Sequence, residues 1–188
     1  MAIIIFDFDD TLFETHKLKD SIFKKIKSFG VSHEIILSTY KEAVEKFDHY
    51  TPINHISIIN EMDEFNIPDY DIEKINDIDF SFHEIDETRK ILLDLSKKHT
   101  LILLTLGDKN FQELKIINSG FASCFSEIHI VFKKKENFLK EKNFQGDVYF
   151  INDKKSENEI IRKMFPHIQV IDFDIKNQGS LSRLPFIS

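Results

Sequence analysis

Five short runs of apolar, β-branched residues recur along the chain, at 2–8 (AIIIFDF), 100–106 (TLILLTL), 128–132 (IHIVF), 147–151 (DVYFI) and 167–173 (HIQVIDF). A run that is apolar at consecutive positions suits a strand buried on both faces, as in a parallel sheet covered by helices. Between the later runs lie helical patterns. In 84–98, Ile85, Thr88, Ile91, Leu92 and Leu95 share one face; in 109–118, Phe111, Leu114 and Ile117 do so, with Gly120 as a stop. Two further helices are predicted over 135–142 and 156–165, the latter halted by Pro166. Strands that alternate with helices predict an α/β fold with a doubly wound parallel sheet.

Residues 14–79 break this rhythm, because they contain no buried strand pattern. Leu18, Ile22, Ile26 and Phe29 form one helical stripe, ended by Gly30, and Ile36, Tyr40, Ala43, Val44 and Phe47 form a second. A third helix is expected within 53–65, and 69–78 is an acidic short helix or loop. The expected organisation is therefore a core of 1–13 and 80–188 interrupted by a small helical domain over 14–79.

Composition narrows the function classes. A net charge of −7 over 188 residues, with Lys133 to Lys135 as the one basic run, disfavours a nucleic-acid binder, which gains affinity by neutralising phosphates. The single cysteine, Cys124, permits no disulfide within the chain and reads as a small core residue. No apolar stretch approaches the ~20 residues needed to span a bilayer, and no basic segment precedes the first apolar run. A cytoplasmic protein without membrane contact is expected. The five glycines are scattered, so phosphate-loop and dinucleotide fingerprints are absent, and the eight histidines show no zinc-binding spacing.

Ligands of open α/β sheets bind beyond the carboxyl ends of the strands. The acids Asp7, Asp9 and Asp10 stand at such an end. Two carboxylates about 4 Å apart repel by roughly 4 kcal/mol at an effective dielectric of 20, which a hard divalent cation can offset.

The segment FDFDDTLF, residues 6–13, resembles the first signature of the haloacid dehalogenase superfamily. The resemblance extends in order along the chain. LILLT ends in Thr105, a basic cluster follows IHIVF, and YFINDKKSENE carries Asn152 and Asp153 where many relatives have two aspartates. It implies a magnesium-dependent phosphohydrolase acting on a small phosphorylated metabolite. Asp7 would be the nucleophile and Asp9 the general acid/base. Thr105 and Lys134, the latter favoured over Lys133 and Lys135 by its spacing, would hold the phosphate. Asp7, Asp9 and Asp153 would hold Mg2+, with Glu157 in support, and the inserted helices would form a cap that selects the substrate. Asn152 keeps an oxygen but loses a charge, so a catalytically weak relative that binds a phosphorylated ligand or a protein partner is the alternative. A signalling receiver domain fits less well, because its phosphoacceptor stands on a middle strand, and here that strand ends in Thr105.

Overall fold

In a computed structural model of the chain, which describes residues 1–68, 86–175 and 181–184, every strand pairing is parallel. The elements in chain order are β1 (Ile3–Phe6), α1 (Thr15–Lys27), α2 (His33–Phe47), α3 (Pro52–Asn60), α4 (Asp86–Ser96), β2 (Thr100–Leu106), α5 (Lys109–Asn118), β3 (Glu127–Val131), α6 (Lys135–Lys142), β4 (Val148–Asn152), α7 (Lys155–Met164) and β5 (Ile168–Asp172). The acidic segment 69–78, the insertion's second boundary and most of the C-terminal segment fall outside the described residues.

The sheet runs β3-β2-β1-β4-β5. The chain winds outward from β1 to β3, then crosses back to β4 on the other side of β1. With right-handed crossovers, this order puts the two sets of connecting helices on opposite faces. The strand order therefore reverses between β1 and β4, and that reversal opens the crevice in which such sheets bind ligands. Phe6 pairs with both Leu103 and Ile151, so Asp7 emerges between the ends of β2 and β4. Its backbone N–H donates to Ile151 O at 2.9 Å.

On one face Ile5, Ile102, Leu104, Val148, Phe150 and Ile168 pack with Phe138 and Leu139 of α6 and Ile161 of α7. Each strand contributes apolar side chains to both faces, which is why the runs are apolar at consecutive positions. Cys124 is buried.

By internal packing the residues divide into two compact units, 1–15 with 80–188, and 16–79. The second unit is helical where it is described. Its α1 buries Leu18, Ile22 and Ile26, and α2 buries Ile36, Thr39 and Ala43. Ser32 and Thr51 cap α2 and α3 by accepting from Ile35 N and Asn54 N, and Pro52 opens α3, where no N–H is needed. Within this unit His55 is wholly buried against Phe23, Tyr40 and Tyr50. Its Nε2 lies 3.1 Å from the Ile36 carbonyl and 3.0 Å from Thr39 Oγ1, and Tyr50 Oη lies 3.2 Å from Nδ1. A carbonyl only accepts, so Nε2 carries the hydrogen and Nδ1 accepts from Tyr50. Among the described residues no helix is long and apolar enough to cross a membrane.

Candidate active site

The segment after β1 folds back on itself. Phe8 O accepts from the backbone N–H of Leu12 at 2.9 Å and of Phe13 at 3.1 Å, and Asp10 N donates to Phe13 O at 2.8 Å. Asp10 takes a left-handed conformation, φ 53°, which aspartate tolerates better than most residues. Thr11 is buried, and its Oγ1 accepts from Asp153 N at 3.1 Å. That bond ties the first loop to the loop after β4, and so brings Asp7 and Asp153 to one end of the sheet.

Asp7 is buried, and its partner is Lys135, whose Nζ lies 2.7 Å from Asp7 Oδ1. Lys135 is 3 % exposed and also reaches Glu157 Oε2 at 3.1 Å and Asn152 Oδ1 at 3.2 Å. Three oxygens thus surround one ammonium. Burial works against the charge of Lys135, but the carboxylates of Asp7 and Glu157 outweigh it and raise its pKa. Burial also disfavours the charge of Glu157, but Lys135 and Lys154 overcome it, so its carboxyl stays below the usual range. The sequence favoured Lys134 for this place, and the structure corrects that choice. Lys134 stands just before α6 with an exposed side chain, while Lys135, the first residue of the helix, turns inward.

Asn152 is fully buried. Its Nδ2 donates to Asn158 Oδ1 at 2.9 Å, and Asn158 Nδ2 donates to Asp172 Oδ1 at 2.6 Å. The amide at this position therefore links Lys135 to α7 and β5, while the negative charge near Lys135 comes from Asp7 and Glu157.

Burial pushes the Asp7 carboxyl above the usual range; Lys135 offsets this in part, and the nearby Asp9 charge adds to it. Asp153 is pushed up to about 7 by burial and then by the charge of Asp7, with Lys135 opposing. A buried carboxyl whose charge is further disfavoured by a neighbouring carboxylate, as Asp153 is by Asp7, leaves room for added positive charge. Among the described residues no group of three or more His, Cys, Asp and Glu side chains is arranged to hold a metal ion. A magnesium site with two carboxylates, completed by water and phosphate oxygen, remains chemically suited to Asp7 and Asp153, since Mg2+ is usually bound by few carboxylates.

The carboxylate of Asp9 is engaged by neutral and cationic donors of the core. Its Oδ1 accepts from Lys115 Nζ and from Thr15 Oγ1, and its Oδ2 accepts from Gln112 Nε2 at 2.7 Å. Burial disfavours the Asp9 charge, yet Lys115, followed by these hydrogen bonds, holds the carboxyl below the usual range. Lys115 is itself buried, its Nζ 5.6, 6.0 and 5.3 Å from the ring centres of Phe8, Phe13 and Phe111. Such contacts favour a cation, but only Asp9 among these groups supplies a full opposing charge.

Thr105, one residue before the end of β2, has its hydroxyl buried against α5, where Oγ1 accepts from Gln112 Nε2 at 2.9 Å and keeps its own hydrogen to donate. Gln112 Nε2 also reaches Leu106 O at 3.0 Å. Asp9 and Leu106 O both accept, which fixes the amide orientation and leaves Gln112 Oε1 buried without a hydrogen-bond partner among the described residues. An unmade buried acceptor costs about 1–3 kcal/mol, so the contacts at the nitrogen must outweigh it. Gly107 makes room for this side chain, since a Cβ there would lie 2.9 Å from Gln112 Cγ.

Lys115, Gln112 and Thr15 were not singled out from the sequence. The stripe Phe111, Leu114 and Ile117 was expected to face inward on α5; instead Gln112, Lys115 and Ile116 are buried and Ile117 is 65 % exposed. The inward face is polar because it serves Asp9 and Thr105. Its signal was the spacing of residues 112, 115, 116 and 119, which a search for apolar stripes passes over.

No family model matches the chain, and no curated protein matches it in sequence. Solved structures do match. A haloacid dehalogenase-like protein of Burkholderia xenovorans LB400 is 15 % identical, with a TM-score of 0.75 over 91 % of this chain and 81 % of that one. A HAD-hydrolase of Bacillus subtilis, bound to magnesium, is 15 % identical with a TM-score of 0.54 over 81 % and 78 %. The L-2-haloacid dehalogenase of Xanthobacter autotrophicus, with chloropropionic acid covalently bound, is 12 % identical with a TM-score of 0.58 over 90 % and 76 %. Likeness this broad at so low an identity is likeness of architecture, and the fold of this chain is that of the haloacid dehalogenase-like hydrolases.

Proposed function

We propose that the chain is a magnesium-dependent phosphohydrolase that cleaves a small phosphate monoester through an aspartyl-phosphate on Asp7. The observation that carries this reading is the buried pair of Asp7 and Lys135 at the strand-order reversal, with the Thr105 hydroxyl at the end of the neighbouring strand. A carboxylate is a competent nucleophile toward phosphorus, and the ammonium would offset the charge of the incoming phosphoryl group. In the first step an Asp7 oxygen attacks phosphorus while Asp9 gives its proton to the ester oxygen, which leaves as the alcohol. In the second step water attacks phosphorus, Asp9 takes its proton, and Asp7 is released as the carboxylate. Lys135 and the Thr105 hydroxyl would hold phosphate oxygens in both steps. Magnesium, held by Asp7 and Asp153, would supply further charge neutralisation.

The magnesium-bound Bacillus subtilis neighbour is in keeping with this cofactor. The dehalogenase neighbour uses the same fold for a different substrate, so fold alone does not select phosphate. The charge of Asp7 bearing on Asp153, which a cation would relieve, favours the phosphatase reading. The helical unit 16–79 would act as a substrate-selecting cap. The alternative, a protein that binds a phosphorylated ligand or a protein partner without turnover, draws on Asn152.

The test is phosphate release from an aryl phosphate with and without magnesium, for wild type and Asp7→Asn. Turnover that requires the metal and is lost in the variant is expected. Tight binding of phosphate without turnover would favour the alternative.

A further inference from the structure

Lys115 joins an otherwise apolar packing position to a single charged partner. It projects from α5 beneath three phenylalanine rings, and the charge it meets there is the carboxylate of Asp9. Thr15 donates to the same oxygen, Oδ1, while Gln112 donates to Oδ2. The donors come from two distant parts of the chain. Thr15 lies six residues on in the sequence, and Gln112 and Lys115 come from a helix about a hundred residues away. A carboxylate accepts about four hydrogen bonds. Two are filled on Oδ1 and one on Oδ2, so the remaining lone-pair direction is on Oδ2, and the side chain of Asp9 is still 29 % exposed.

We infer that Lys115, with Thr15 and Gln112, is a positioning residue that turns the open Oδ2 lone pair of Asp9 toward the water of the second half-reaction. The inference rests on the phosphohydrolase reading above. In the step it serves, water oxygen bonds to phosphorus and the bond between phosphorus and the Asp7 oxygen breaks. The water proton passes to Asp9 Oδ2, and inorganic phosphate and the Asp7 carboxylate remain. A helix of the core that serves the general base in this way makes hydrolysis of the intermediate depend on α5, although α5 supplies no group that touches phosphorus.

The experiment uses p-nitrophenyl phosphate, whose leaving group departs without a proton, so a defect in Asp9 falls on the water step alone. Nitrophenolate release by the full-length protein with magnesium is followed from the first turnover. Wild type is compared with Lys115→Met, which keeps an unbranched chain beneath the rings. The expected result is a burst of about one nitrophenolate per site, then a steady rate tenfold to a hundredfold below wild type, within the range for a general base. Thr15→Val, which removes one donor and leaves the buried lysine paired, is expected to give a smaller burst-and-slow pattern and serves if Lys115→Met does not fold. A steady rate within twofold of wild type and no burst in the folded variants would overturn the role of Lys115 alone. Absence of turnover in wild type would overturn the phosphohydrolase reading and this inference with it.

Discussion

Lys135 Nζ lies 2.7 Å from Asp7 Oδ1, and both side chains are buried, while Lys134, one residue earlier, is exposed. Lys135→Met removes the one cation that Asp7 and Glu157 share. A preorganised electrostatic contact of this kind is worth about 100- to 1,000-fold in kcat. Loss of one partner from a buried ion pair costs about 3–5 kcal/mol of stability. We expect Lys135→Met to show both effects, read by phosphate release and urea unfolding. Lys134→Met should stay within twofold of wild type, and an equal loss in the two variants would count against the assignment.

The strands were legible in the sequence, and the reason is physical. A strand covered on both faces must be largely apolar at consecutive positions, as the runs of β1, β2 and β4 are, while polar residues such as His129 and Gln169 interrupt those of the edge strands β3 and β5; the observed ends differ from the predicted ones by at most two residues. The acids at the end of β1 were legible as well, because Asp7 and Asp9 follow an apolar run directly. The inward face of α5 was not, since its buried positions are Gln112 and Lys115 and an apolar criterion selects Ile117 instead. The choice among three consecutive lysines was not legible either: the helix was expected to begin at Lys135 and does so, but three adjacent residues of one type carry no pattern that says which of them turns inward. His55 was hidden for a related reason. It is a polar residue at a core position, made stable there by donating to the Ile36 carbonyl on α2 and accepting from Tyr50 before α3.

Asp7 and Asp9 should respond differently to the same substitution. Asp9→Asn leaves the ammonium of Lys115 beneath three rings without an opposing charge, which should cost about 3–5 kcal/mol. Asp7→Asn removes a carboxylate whose charge burial already disfavours, and Lys135 keeps Glu157 as its partner, so the cost should be smaller. Urea unfolding of the metal-free variants at neutral pH measures the difference. Equal costs would contradict the special dependence of Lys115 on Asp9.

The helical unit 16–79 should be sensitive to acid through His55. Burial lowers its pKa to about 4, with the Ile36 carbonyl opposing, against 6.5 for the ordinary residue. The unfolded chain therefore binds a proton that the folded one refuses, so the stabilisation is complete above pH 6.5 and is lost as pH falls toward 4. At 1.36 kcal/mol per unit, the loss reaches about 3 kcal/mol. Hydrogen exchange of α2 and α3 amides should accelerate as pH falls through this window, after correction for intrinsic rates. His55→Gln should flatten the dependence, and an unchanged profile in that variant would exclude His55 as its source.

Asp153 should couple magnesium to pH in the opposite direction. Burial and the Asp7 charge push its carboxyl up to about 7 in the metal-free protein, whereas the unfolded value is 3.8. The folded state thus binds more protons than the unfolded state between those values, so the metal-free protein loses stability as pH rises through them. A cation that binds the ionised carboxylate must displace this proton, and its affinity should rise about tenfold per pH unit below 7 and level off above it. Calorimetric titration with magnesium at pH 6, 7 and 8 tests this. The expected pattern is a clear gain from 6 to 7, a smaller one from 7 to 8, and weak, pH-independent binding in Asp153→Asn. Affinity that stays flat from pH 6 to 8 in wild type would mean that Asp153 is not the group the cation meets.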